Sequence, residues 1–176
     1  MLLKLTIYDH LFLPTKFIFE KNTPMNTIIK KISILLAAVF FSSITFAQED
    51  ADKIVGVWKN GEGTGMVKIY KNGDHYQGKI VWLKEPIDPE TGKPKLDKNH
   101  PVDSVRNRPV IGLINTWGFV YKGEKTWEDG KIYDPKNGNT YSCTIKLKNE
   151  NTLDVRGYIG ISLIGRTDTW TRQVSK

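Results

Sequence analysis

From residue 54 onward, apolar and polar side chains alternate in short runs, and turn residues separate the runs. A period of two puts every second side chain on one face of an extended segment, the signature of a half-buried strand. Residues 54–59 (IVGVWK) open the series, Gly61-Glu62-Gly63 breaks it, and residues 64–70 (TGMVKIY) resume it. Asn72-Gly73 predicts a two-residue hairpin turn, because both of its positions favour positive φ. The return strand is 75–83 (HYQGKIVWL). Residues 108–115 (RPVIGLIN) read as a further strand, which 117–121 continues or restarts. A turn at 122–125 leads to a short strand at 126–133, interrupted at Asp129-Gly130. The run DPKNG at 134–138 is a tight turn, with Pro presetting φ and Gly free to take the left-handed position.

The alternation is cleanest at 140–148, where Tyr141, Cys143, Ile145 and Leu147 share one face. The last two runs, 153–159 and 162–172, fold back on each other around Gly160. In the second of them Ile164, Arg166, Asp168 and Trp170 share a face. After residue 47 no window carries a 3.6-residue period. Eight or nine short alternating segments predict an all-β domain, either sandwich or barrel. About eight strands suffice to close a barrel around side chains or one small ligand.

One stretch departs from the pattern. Residues 84–101 (KEPIDPETGKPKLDKNHP) contain four prolines and no periodicity, which predicts a long surface loop. Loops of this length in small domains serve as lids or binding segments, or are simply mobile; both readings stay open here. A single helical turn is expected at 102–107, with Asp103 as its N-cap.

The amino-terminal quarter reads as address rather than fold. Residues 25–47 pair a basic start (Lys30, Lys31) with an apolar run, and Thr45-Phe46-Ala47 places small residues at a cleavage position before Gln48. The apolar run is shorter than the ~20 residues of a spanning helix, so a cleaved signal peptide and an exported, periplasmic or secreted, product are expected. Residues 1–24 precede that signal and a second methionine, Met25, and read as an upstream extension. The folded domain is then 48–176, with no transmembrane segment after processing.

Charge changes little. The formal net charge is +7, of which the five lysines and two acids of residues 1–47 supply +3. The remaining charges are intermixed, with no basic run to follow a phosphate backbone, so nucleic acid is not an expected partner. Cys143 is the only cysteine and has no intrachain partner; it reads as a small core residue. His75 and His100 have no second ligand at metal spacing, and the acidic turns at 88–92 and 134–139 lack the spacing of a calcium loop. Neither G-x-S-x-G nor H-E-x-x-H occurs. No cofactor, no metal and no catalysis are expected.

Gly56-Val57-Trp58 resembles the Gly-x-Trp signature of lipocalins and their calycin relatives, in which an Arg from the last strand packs over the Trp. Arg166 and Arg172 both lie in the right segment, and the pattern leaves the choice open. A fuller resemblance, over residues 55–172, is to the exported bacterial proteins grouped as domain of unknown function 2147. It rests on Gly56-Val57-Trp58, Arg106-Asn107-Arg108-Pro109 with Gly112-Leu113, and the run Gly130 to Pro135 (GKIYDP). Gly138 with Tyr141, Leu153 with Arg156-Gly157-Tyr158, and Gly165-Arg166-Thr167 with Trp170 complete it. The resemblance implies a compact lipocalin-like barrel of eight to ten antiparallel strands and small-molecule binding. The chain ends six residues after Trp170, so the expected cavity is small or partly filled. Trp58, with Arg172, is expected to close one end.

The candidate ligand site follows from parity. If Trp170 points inward, Arg166 and Asp168 do too, and charges inside a barrel require pairing. The opposite reading leaves both outside. Arg106, Arg108 and Arg156 are further candidate anchors, and Tyr133, Tyr141 and Tyr158 candidate wall residues. An inward Arg beside such tyrosines suits a carboxylate-bearing amphipath, such as a fatty acid, with guanidinium for the head and apolar wall for the tail. The competing expectation is an envelope interaction module that presents Trp82, Trp117 and Trp127 outward to a glycan or protein.

Overall fold

The computed structural model describes residues 50–174, so the expected upstream extension and signal segment lie outside the described residues. Eight strands follow one another: β1 (Gly56–Lys59), β2 (Gly65–Asn72), β3 (His75–Leu83), β4 (Ile114–Gly123), β5 (Thr126–Asp134), β6 (Asn139–Asn149), β7 (Thr152–Tyr158) and β8 (Gly165–Gln173). Each pairs antiparallel with the next, and β8 returns to β1 through Val57–Gln173, Trp58–Arg172 and Lys59–Thr171. The result is a closed up-and-down barrel without a free sheet edge.

Alternation becomes burial as expected in β6, where Cys143, Ile145 and Leu147 are buried while Lys146 and Lys148 are exposed. In β5 the predicted interruption is a bulge rather than a break. The register with β6 slips between Trp127 and Gly130, and Asp129 takes a positive φ of 63°.

Three segment readings are corrected. Residues 108–113 do not form a strand: Pro109 lacks an N–H and Gly112 sits at φ 94°. The segment turns instead, with Leu113 N–H donating to Val110 O and Gly112 N–H to Ile80 O. The helical turn is a 3₁₀ turn, Asp103–Val105, in which Val102 rather than Asp103 holds the N-cap and no side chain caps it. The last strand begins at Gly165 rather than 162; the residues before it form the hairpin loop.

Because the strands run up and down, loops alternate between two ends. One end receives residues 50–55 and the β2–β3, β4–β5 and β6–β7 turns. The other receives 60–64, the long 84–113 connection, the 135–138 turn and the 159–164 loop. The first end is filled. Ile54, Trp58, Phe119, Trp127, Ile145 and Leu153 are each less than 2 % exposed.

Candidate functional site

At the filled end, Arg172 lies over the Trp58 ring with its guanidinium carbon 4.1 Å from the centroid, a cation–π stack. It is Arg172, not Arg166, that takes this place. The guanidinium also donates to the carbonyls of Lys53, Val55 and Glu150, and Trp58 Nε1 donates to Ile54 O at 2.8 Å. Gly56 is the residue that permits the stack. It has φ 148°, and a Cβ there would stand 2.5 Å from Arg172 Nη1, so the Gly-x-Trp spacing follows from packing.

The opposite half of the barrel holds a cavity of about 1080 Å³ that opens between the loops. Val67, Ile80, Ile132, Val155 and Trp170 give it an apolar wall, and Asn115 interrupts that wall. Asn115 and Thr116 lie where the β3–β4 register slips. Asn115 Oδ1 and Thr116 Oγ1 are buried with no hydrogen-bond partner among the described residues. Such atoms are costly unless something satisfies them.

The long connection over this end is organised around Asp97, which is fully buried. Its carboxylate accepts from Tyr133 Oη and, in two bonds of 3.0 and 2.8 Å, from the Arg108 guanidinium. Burial, then the hydrogen bond to Asp97, pushes the Tyr133 phenol up to about 12, so it stays a donor. Asn99 Nδ2 donates to the Pro135 and Lys136 carbonyls. Gly138 leaves room for this approach: a side chain there would run into the Asn99 carbonyl. The 84–101 loop is therefore pinned across the opening.

The rim is polar. Lys98 pairs with Asp88, Lys136 with Glu62, and Arg166 Nη2 stands 4.0 Å from Glu62. Hydrogen bonds from Lys98 and Lys136 hold the Asp88 and Glu62 carboxyls below the usual carboxylate range.

The candidate residues separate into three groups. Tyr133, Tyr141, Tyr158, Arg166, Asp168 and Trp170 all border the cavity. Within that group, Trp170 is buried and Arg166 is 88 % exposed at the rim. The expected inward Arg166–Asp168 pair does not form. Asp168 accepts from Trp170 Nε1 at 2.8 Å and from Gly61 N–H at 3.2 Å. Arg108 belongs to the Asp97 anchor, and Arg106 donates to His100 O and pairs with Asp103 in the loop. Arg156 lies on the outer face of β7 and donates to Ser162 O, Leu163 O and Thr167 Oγ1. These three arginines stand outside the cavity lining.

Sequence reading missed Asp97, Asn115, Lys98 and Lys136. Asn115 left a trace, as a polar residue ending the apolar run PVIGLI. Asp97 left none, since Tyr133 lies 36 residues away. Cys143 is fully buried, and burial pushes its thiol up to about 12, which keeps it protonated and inert at neutral pH. Trp82, Trp117 and Trp127 do not form an outward aromatic face, because Trp127 is in the core and donates to Ala51 O. Among the described residues, no helix is long and apolar enough to cross a membrane.

A closed eight-stranded meander with one end plugged by a Trp–Arg stack and the other open defines a lipocalin-like barrel. The chain belongs to the family described as "Uncharacterized protein conserved in bacteria (DUF2147)", whose match spans residues 56–172. Among solved structures it is similar to protein HP1028 of Helicobacter pylori, described as belonging to the lipocalin family. The two share 22% identity at a TM-score of 0.59, over 68% of this chain and 82% of that one. That likeness is one of fold. No curated protein matches the chain.

Proposed function

We propose that this is an exported carrier that binds one small amphipathic molecule in the open half of the barrel, without catalysis. The observation that carries this reading is the asymmetry of the interior: one half is filled by large side chains, while the other holds an apolar cavity with a charged rim. Cavities of ~300–1,000 Å³ with apolar walls and a few placed polar groups are the usual form of small-molecule sites. The ligand's tail would lie along Val67, Ile80 and Val155, with Trp170 beneath it. Its head, a carboxylate in the favoured case, would meet the Arg166 guanidinium at the rim, where Tyr141 and Tyr158 supply hydroxyls. The unpartnered Asn115 Oδ1 favours a ligand that also brings a hydrogen-bond donor partway down the cavity over a plain alkyl chain.

Export rests on the signal-like segment at 25–47. The test is to express the chain with its own leader, recover it gently from the exported fraction, and compare native with denatured mass spectra. A small molecule present in the native spectrum and released on unfolding is the expected result. Bare protein mass, unchanged after incubation with a lipid extract, would overturn the carrier reading.

A further inference from the structure

The loop between β7 and β8 carries Ile159, Ile161, Leu163 and Ile164 with exposures of 72, 60, 84 and 72 %. Single exposed apolar residues are ordinary on a protein surface, but four within six positions at one loop tip are not. Three successive carbonyls of this tip are taken up by the chain itself. Ile164 N–H donates to Ile161 O, Arg156 Nε to Ser162 O, and Arg156 Nη2 to Leu163 O. A loop in water does not need its carbonyls satisfied internally, whereas a loop pushed into an apolar phase does. Charge points the same way. Between Val155 and Thr167 the chain holds Arg156 and Arg166 and no acid, and Arg166 is 88 % exposed beside the tip. Apolar tip, internally bonded carbonyls at 161–163 and the flanking Arg166 guanidinium together match the layers of a bilayer surface: acyl chains, glycerol region and phosphates. Ile159 and Ile164 also line the lip of the cavity, so the tip borders the opening.

We propose that the 159–164 loop is a membrane-docking tip that seats the open end of the barrel on the surface of an anionic phospholipid bilayer. The tip enters the acyl boundary while Arg166 meets lipid phosphates. Seated in this way, the opening faces the lipid directly. This inference does not rest on the carrier reading, since docking requires the tip and not an occupied cavity.

The test is flotation of the exported protein with vesicles of phosphatidylcholine and phosphatidylglycerol, in parallel with an Ile161→Asp/Leu163→Asp variant. Both side chains are exposed, so the variant is expected to keep the wild-type unfolding midpoint. Its vesicle partitioning should fall by about tenfold or more, and Arg166→Gln should weaken binding to anionic vesicles by about fivefold. Both proteins carry the same amino terminus, so its contribution is common to the pair. Wild-type protein that stays out of the floating fraction, or a double variant that floats equally well, overturns the proposal. Concentration-dependent dimerisation abolished by the variant, without flotation of the wild type, also overturns it and assigns the tip to a second copy of the chain. Loss of flotation with retention of any co-purified molecule separates this result from a failure of the carrier reading.

Discussion

The two ends of the barrel come from the same alternating strands but hold themselves together with different chemistry. At the filled end, indole N–H groups and the Arg172 guanidinium donate to backbone carbonyls of Ala51, Lys53, Ile54, Val55 and Glu150. At the open end the pins are carboxylates: Asp97 on Tyr133 and Arg108, Asp88 on Lys98, Glu62 on Lys136, and Asp168 on Gly61 and Trp170. In the first kind the two indole bonds lie in the buried core and the acceptors are carbonyls that do not titrate. The second kind lies largely at solvent, where ion pairs contribute little and are screened. One end is therefore built to close the barrel permanently, and the other to be held over a cavity by contacts that can yield.

The comparison breaks most visibly if the filled end is not where stability resides. Trp58→Ala removes a fully buried indole, the stack under Arg172 and a hydrogen bond to Ile54. Urea unfolding should show a loss of about 3–5 kcal/mol, with a further contribution from the cation–π contact. A loss below about 1 kcal/mol would mean that the plug is ornamental.

The next effect lies at Asp97, the fully buried carboxylate of the open end. Asp97→Ala strips the Tyr133 hydroxyl and the Arg108 guanidinium of their acceptor. A cost of about 2–3 kcal/mol is expected, kept below that of a fully buried pair because Arg108 is 43 % exposed. Hydrogen exchange should separate this from the Trp58 result: protection is lost across 84–113 while β6 and β7 keep theirs. Uniform loss along the barrel would show that the loop is part of the core and not a cover.

How much of this was legible beforehand also divides by end. Parity along a strand says which side chains share a face, and it groups Cys143, Ile145 and Leu147, which are buried together. The inward place of Trp58 comes from the resemblance, and parity alone leaves Trp170 open between inside and outside. It does not say how far along the barrel axis a residue lies. Arg166 and Trp170 share a face yet stand four residues apart, roughly 13 Å at ~3.3 Å per residue. One reaches the rim and the other the core. Loops have no period to read at all. The Asp97 anchor joins residues far apart in the chain, and Arg156 is taken up by carbonyls of a loop whose conformation no local pattern announces. Residues 108–113 mislead for the same reason: the apolar run has the composition of a strand, while Pro109 and the positive φ of Gly112 make it a turn under Ile80.

Acid sharpens the contrast with a smaller effect. The Asp88 and Glu62 carboxyls have folded pKa values below their ordinary 3.8 and 4.5, chiefly through hydrogen bonds from Lys98 and Lys136. A depressed carboxyl contributes stability that is present above its unfolded pKa and lost as pH falls through the folded one. Lowering pH from 6 to 3 should therefore loosen the open-end loops first. Exchange should rise at 60–64, 84–98 and 135–138 while amides of β1 and β8 near the Trp58–Arg172 stack stay protected. Simultaneous loosening at both ends would remove the distinction drawn between them.

The smallest structural effect carries the most information about function. Arg166 is almost fully exposed and stands 4.0 Å from Glu62, so Arg166→Ala should shift unfolding stability by no more than about 0.5 kcal/mol. Under the carrier reading it should nonetheless matter for binding. A charge-assisted hydrogen bond to a carboxylate contributes ~1.5–3 kcal/mol, so affinity for a long-chain fatty acid should drop by about tenfold or more. Affinity for the fatty alcohol of equal chain length should barely change, because its apolar contacts with the wall are intact and its head brings no charge. Titration calorimetry on wild type and variant with both compounds gives the four numbers needed. A drop for the acid alone puts the head at the rim beside Arg166. Equal losses for acid and alcohol would mean that Arg166 shapes the opening without reading charge. No loss for either would move the polar recognition down the wall to Asn115, whose buried Oδ1 has no hydrogen-bond partner among the described residues.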